Sequence, residues 1–149
     1  MLIELLYVSR SRQRFDDLAL TELLRVARRN NQSTGITGLL LYDGRGTFIQ
    51  ALEGDDDQVM PLFNLITTDA RHDHVHVLGR QRIQQRSFPE WQMGFFPLSP
   101  ELIAKVEGYS DFMFADSQQQ LSQAETSFAF RMLDYFRLKA RLERERHAC

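Results

Sequence analysis

Three polar side chains, those of Tyr7, Asn31 and Gln50, fall in or beside a sheet face expected to be apolar. Residues two apart in a strand share a face. Along LIELLYVS that spacing groups Ile3, Leu5 and Tyr7. Along TFIQALEG it groups Phe48, Gln50 and Leu52, and along WQMGFF it groups Trp91, Met93 and Phe95. Gln50 then sets a carboxamide, with two donors and a two-lone-pair acceptor, inside an apolar stripe. Left unpaired when buried, such a group costs about 1–3 kcal/mol. The Tyr7 hydroxyl is one candidate partner, the Asn31 amide near the same sheet is a second, and a bound polar heteroaromatic ring is a third. Taken singly, each residue reads as a satisfied core or edge group. Together the three flank a space between sheet and helices that suits a planar ligand, without naming it.

Other clusters point away from chemistry. Asp55, Asp56 and Asp57 precede an apolar helix. Carboxylates there cap free N–H groups and suit the helix dipole, so capping is preferred to a divalent metal. His72, His74 and His76 lack cysteine neighbours, and no metal site is expected. Cys149 is the only cysteine, which excludes an internal disulfide and a cysteine-based zinc site.

The polar residues need elements to position them. Residues 2–9 predict a first strand. Asp16 and Asp17 open a helix carrying Leu18, Leu20, Leu23, Leu24 and Ala27, with Arg25, Arg28 and Arg29 near its end and Asn30 and Asn31 as its boundary. Gly35 and Gly38 flank a turn into a second strand, ITGLLLYD. Asp43-Gly44-Arg45-Gly46 signals a hairpin into TFIQALEG. A second helix begins at Asp55–Asp57 and carries Val59, Leu62, Phe63, Leu65 and Ile66. Residues 74–86 predict a fourth strand, SFPE a turn, and WQMGFF a fifth strand. The order βαββαββ predicts an α+β, ferredoxin-like sandwich with two helices on a five-stranded mixed sheet.

That unit is expected to span residues 1–97. Residues 98–149 are expected to hold a linker and then an amphipathic helix, from about Gln118 to Arg146. Leu121, Phe128, Tyr135 and Leu142 recur there every seven residues, with Ala124, Met132, Phe136 and Leu138 beside them. Such a stripe suits the free face of the sheet, a second protomer or a downstream partner.

Composition narrows the function classes. The 149 residues are 43% hydrophobic and 26% charged, which excludes a wholly disordered or fibrous chain. The net charge is −2, with 16 Arg against 2 Lys, and offers no field for a polyanion. No nucleic acid is therefore expected as partner. No apolar run reaches 18 residues, and the N-terminal one contains Glu4. Neither a membrane span nor a signal peptide is expected, and the chain is read as cytoplasmic.

At the residues singled out above, the sequence resembles the BLUF domain, a flavin-based blue-light sensor. The resemblance runs from about Leu2 to Phe96. It rests on ordered segments: the strand ending in LYVS, then RRNNQSTGITGLLLY, FIQALEG, DARH and FPEWQMGF. It implies that Tyr7 donates an electron and a proton to the excited flavin and that Gln50 lies between them. It implies that Asn31 bonds the carbonyl and imide edge of the ring, with Asn30 beside it. Arg71 and His72 would sit near the pyrimidine edge and the flavin side chain, and Leu24 and Ile66 would sandwich the ring. Trp91 and Met93 would relay the signal. The implied cofactor is FAD, with FMN or riboflavin able to substitute. Leu65 stands where some relatives carry arginine.

The physical chemistry agrees with these roles. A carboxamide donates at one end and accepts at the other, so rotation or tautomerisation reverses its pattern. A phenol with a pKa of about 10 is neutral at rest and can lose an electron and a proton together. The expected function is a blue-light photoreceptor rather than an enzyme. It is expected to signal in trans to a partner protein, through the fifth strand and the C-terminal helix, and to form a homo-oligomer. The residues after the sensor are too few for a cyclase or phosphodiesterase domain, which needs about 150. Two other functions share some of these features. A flavin-dependent redox enzyme needs a nicotinamide site or a second catalytic group, which the sequence does not offer. A ferredoxin-like RNA-binding module needs an aromatic-rich strand and a favourable charge.

Overall fold

The computed structural model describes residues 1–99 and 123–147. A first unit, Met1–Pro97, contains β1 (Leu2–Ser11), α1 (Asp17–Thr34), β2 (Thr37–Tyr42), β3 (Thr47–Asp55), α2 (Asp56–Thr68), β4 (His72–Arg82) and β5 (Gly94–Pro97). The sheet order is β4-β1-β3-β2-β5. β2 and β5 run parallel, and the other neighbours are antiparallel. This is the expected ferredoxin-like α+β arrangement on a mixed sheet.

One sheet face meets the helices. Ile3, Leu5 and Tyr7 of β1, Leu40 and Tyr42 of β2, and Phe48 and Leu52 of β3 pack with Leu24 of α1 and with Val59 and Phe63 of α2. On the opposite face Leu6, Val8, Leu39, Leu41, Ile49 and Ala51 are buried as well. Central strands buried on both faces read as continuous apolar runs. A polar residue such as Gln50 is therefore conspicuous in them.

The β2–β3 hairpin sets the register that matters. Asp43 Oδ1 accepts from the Arg45 and Thr47 amides at 2.7 and 2.9 Å. With that turn closed, Gln50 falls opposite Leu40 on one side and opposite Tyr7 on the other. A one-residue slip would turn Gln50 to the other face.

Helix ends follow from local chemistry, with one shift from expectation. Asp16 caps α1 by accepting from the Ala19 amide at 2.7 Å, and Asp55 is the N-cap of α2. α1 does not stop at Asn30 and Asn31. It continues to Thr34, where Gly35 at φ 76° closes it with a bond from its N–H to the Asn31 carbonyl. A left-handed C-terminal residue is what glycine permits. Asn31 consequently lies in the last helical turn, buried against the sheet.

Three other boundaries also move. Gly38 lies inside β2, not at the edge of a turn, and a Cβ there would come within 2.0 Å of the Ala51 carbonyl oxygen. β4 starts two residues before the expected position 74 and ends at Arg82. The fifth strand is shorter than WQMGFF, because only Gly94–Pro97 pairs with β2.

The division of the chain falls after Pro97. Beyond it, α3 (Gln123–His147) carries Ala129, Met132, Leu133, Phe136 and Ala140 at helical spacing, all buried. Leu138 and Leu142, expected in the apolar stripe, are exposed. Leu142 is two residues from Ala140, about 200° around the helix from the buried face. The expected linker beyond Ser99, with Leu121 and Cys149, lies outside the described residues.

Candidate functional site

A cleft of about 760 Å³ opens between α1 and α2 above the sheet. Leu23, Val26 and Ala27 of α1 form one wall, and Leu62 and Ile66 of α2 form the other. The floor is Tyr7, Ser9, Leu40, Phe48 and Gln50. Asn30, Asn31 and Met93 line one end, and Asp69, Arg71 and His72 also contribute. Strand alternation explains the floor: Tyr7 and Ser9 are two apart, as are Phe48 and Gln50.

At the floor, the Tyr7 hydroxyl donates to Gln50 Oε1. The Gln50 amide nitrogen donates to Met93 Sδ at 3.5 Å. Gln50 thus bridges β1 and the segment that enters β5. Tyr7 is 1% exposed, and its ring meets Phe63 edge-on at 5.2 Å. Burial pushes its phenol far above the ordinary range, so it is neutral at physiological pH.

The segment before β5 is held by three successive carbonyls. Trp91 O accepts from the Gly38 amide at 2.9 Å, Gln92 O from Asn31 Nδ2 at 2.5 Å, and Met93 O from Arg28 Nε at 3.0 Å. Further back, fully buried Glu53 accepts from Thr37 Oγ1 at 2.8 Å and from the Ser87 and Phe88 amides at 2.9 and 2.7 Å. β3 therefore supplies both Gln50 and the anchor of the loop that leads to Met93.

At the other end, Asp69 Oδ2 accepts from Arg71 Nη2 at 2.6 Å. The Arg71 hydrogen bonds hold the Asp69 carboxyl down at about 2. Burial holds the His72 imidazole below its usual range, and its ring meets Phe48 at 5.8 Å. Ser9 Oγ and His72 Nδ1 are buried and have no hydrogen-bond partner among the described residues. Both residues line the cleft, so a ligand with polar edge atoms would satisfy them.

The structure brings together most of the expected site residues: Tyr7, Asn30, Asn31, Gln50, Ile66, Arg71, His72 and Met93 all line the cleft. Two do not. Leu24 faces the sheet and belongs to the core, while Leu23 and Ala27, four apart on α1, take the wall position. Trp91 does not share a stripe with Met93 and Phe95. Its ring stacks on Phe88 at 5.0 Å and lies against Gly94, whose missing Cβ leaves room for it. Gly94 pairs with Leu39 and Phe95 with Leu40, so Trp91 packs on the face away from the cleft. Alternation fails because Trp91 precedes the paired strand. Leu65 is 69% exposed and does not line the cleft. Sequence reading passed over Ser9, although its spacing from Tyr7 would have flagged it.

The family model described as "BLUF: Sensors of blue-light using FAD" matches residues 2–94. The chain belongs to the BLUF family. Among BLUF relatives, the photoactivated adenylate cyclase subunit beta of Euglena longa is 38% identical over 93 residues, 62% of this chain and 11% of that one. The blue light- and temperature-regulated antirepressor BluF of Escherichia coli is 28% identical over 137 residues, 92% of this chain and 32% of that protein. The chain thus spans about a tenth and about a third of these relatives. Of solved structures, the dark state of BlrB, a BLUF protein, aligns with a TM-score of 0.67 at 29% identity, covering 89% of this chain and 94% of that one. The photo-activated state of BlsA gives 0.67 at 28% identity, covering 89% and 95%.

The cleft residues fit a flavin. An isoalloxazine ring needs aliphatic faces above and below and polar groups at its edge. The two aliphatic helix walls meet the first need, and Asn31, Gln50 and the unpartnered Ser9 and His72 atoms meet the second. Among the described residues, no helix is long and apolar enough to cross a membrane.

Proposed function

We propose that this chain is a blue-light receptor that holds a flavin in the cleft between α1 and α2 and signals to a partner protein. The observation that supports it most directly is the position of Gln50. It lies at the floor of the cleft, bonded to Tyr7 on one side and to Met93 on the other.

Leu23, Val26, Ala27, Leu62 and Ile66 enclose the ring faces, and Asn31, Asn30, His72 and Arg71 take its polar edge and side chain. A flavin bound there supplies blue absorption and, once excited, an electron acceptor. Tyr7 is the electron donor. Because its phenol is neutral, its proton leaves with the electron from Oη, toward Gln50 Oε1. Return of both to Tyr7 leaves Gln50 with donor and acceptor ends exchanged, by rotation or tautomerisation. The Gln50 bond to Met93 Sδ changes in consequence, and the held segment before β5 passes that change on.

The relatives' names tie the family to an adenylate cyclase in one case and to antirepression in another. For this chain the output is a partner in trans, reached through β5 and the C-terminal helix α3, with the receptor acting as a homo-oligomer. FAD is the flavin of the family description.

Dark and illuminated absorption spectra test the assignment. The wild-type protein is expected to show a small, reversible red shift of the flavin bands. Tyr7→Phe and Gln50→Leu are expected to bind flavin and lose that shift. A normal shift in either variant overturns the roles given to them.

A further inference from the structure

A second cavity, of about 870 Å³, adjoins the flavin cleft. Arg12, Arg14 and Phe15 line it from the β1–α1 loop, Glu22 from α1, and Arg71 from the α2–β4 loop. Arg71 also lines the cleft, so the two spaces meet at its side chain. The two loops are tied together, because the Arg12 amide donates to the Arg71 carbonyl at 3.0 Å. Phe15 is fixed between them. Its amide donates to the Tyr42 hydroxyl at 2.9 Å, its ring meets Phe48 edge-on at 5.3 Å, and the Arg71 guanidinium lies 5.9 Å from its centroid.

The charges here do not cancel. Arg71 is paired with Asp69, and Glu22 with Arg25, each at 2.6 Å. Arg12 and Arg14 form no ion pair among the described residues. Two exposed arginines without an ion pair among the described residues thus line one cavity, in a chain whose net charge is −2. Planar guanidinium forks match phosphate oxygens two at a time. A ligand with its ring in the cleft and an anionic tail would run past Arg71 into this space.

We propose that the second cavity is a phosphate subsite: Arg12 and Arg14 bind the phosphate of FMN, or the pyrophosphate of FAD, and make the protein prefer phosphorylated flavins to riboflavin. This rests on the flavin reading of the cleft. Apoprotein titrated with riboflavin, FMN and FAD, followed by quenching of flavin fluorescence, tests both separately. FMN and FAD are expected to bind about tenfold tighter than riboflavin at low salt, the size of one charge-assisted contact. High salt is expected to shrink that preference. The R12Q/R14Q double variant is expected to lose the preference while its riboflavin affinity stays unchanged, which also reports that it is folded. Equal affinities for all three flavins, or an unchanged preference in the double variant, overturn the subsite and leave the cleft standing. Failure of every flavin to bind overturns the cleft reading and the subsite with it.

Discussion

Replacing Gln50 by leucine removes the acceptor of a phenol that is 1% exposed. The buried Tyr7 hydroxyl is then left without its partner, at a cost of about 1–3 kcal/mol. Tyr7→Phe removes the donor instead. It leaves the Gln50 carboxamide, which is half-buried at the cleft floor and keeps its contact with Met93 Sδ, so its cost is smaller, about 1 kcal/mol. The double variant replaces both partners by apolar groups and leaves neither orphaned. Its cost is expected to fall short of the sum of the singles by about 1–2 kcal/mol. Urea unfolding of the four apoproteins measures this coupling directly, provided the denaturant slopes agree. Strictly additive costs would refute the claim that the two side chains form one hydrogen-bonded unit. The cycle is independent of light, so it isolates the resting arrangement from the photochemistry.

Other predictions concern the groups around that unit. Glu53→Ala removes the acceptor of the Thr37 hydroxyl and of the Ser87 and Phe88 amides, and is expected to cost about 3–5 kcal/mol in unfolding experiments. A cost under 1 kcal/mol would show that the loop before β5 is not anchored there. Asp69 is held at about 2, below the usual carboxylate value of about 3.9. A depressed folded-state value adds stability that is present above the unfolded pKa and is lost as pH falls through the folded one. Melting temperatures of wild type and Asp69→Asn are therefore expected to converge as pH drops from about 4 to 2, and a pH-independent gap would contradict the ion pair with Arg71.

Much of this arrangement is legible from local chemistry. The alternation in β1 and β3 groups Tyr7 with its apolar neighbours and Gln50 with Phe48 and Leu52. The acidic caps at Asp16 and Asp55 mark the helix starts, and the DGRG turn marks the hairpin. Such signals depend on a residue and its near neighbours in the chain. Where the pattern misled, a distant contact had intervened. Trp91 follows strand alternation on paper, but pairing with β2 begins only at Gly94, so its ring turns to Phe88. Leu24 and Leu23 are equally apolar, and only the rotation of α1 on the sheet decides that Leu24 enters the core while Leu23 walls the cleft.

The sequence by itself determined the element order, the family and the identity of the Tyr7, Gln50 and Asn31 trio, because each follows from short-range pattern or ordered motifs. Only the tertiary structure decided that Met93, not Trp91, meets Gln50, that Ser9 and His72 present unpartnered atoms to the cleft, and that Arg12 and Arg14 share a cavity with Arg71. The physical reason is the same in each case. These relations join residues from different strands, helices and loops, and their geometry exists only once sheet register, helix rotation and loop closure have been set together.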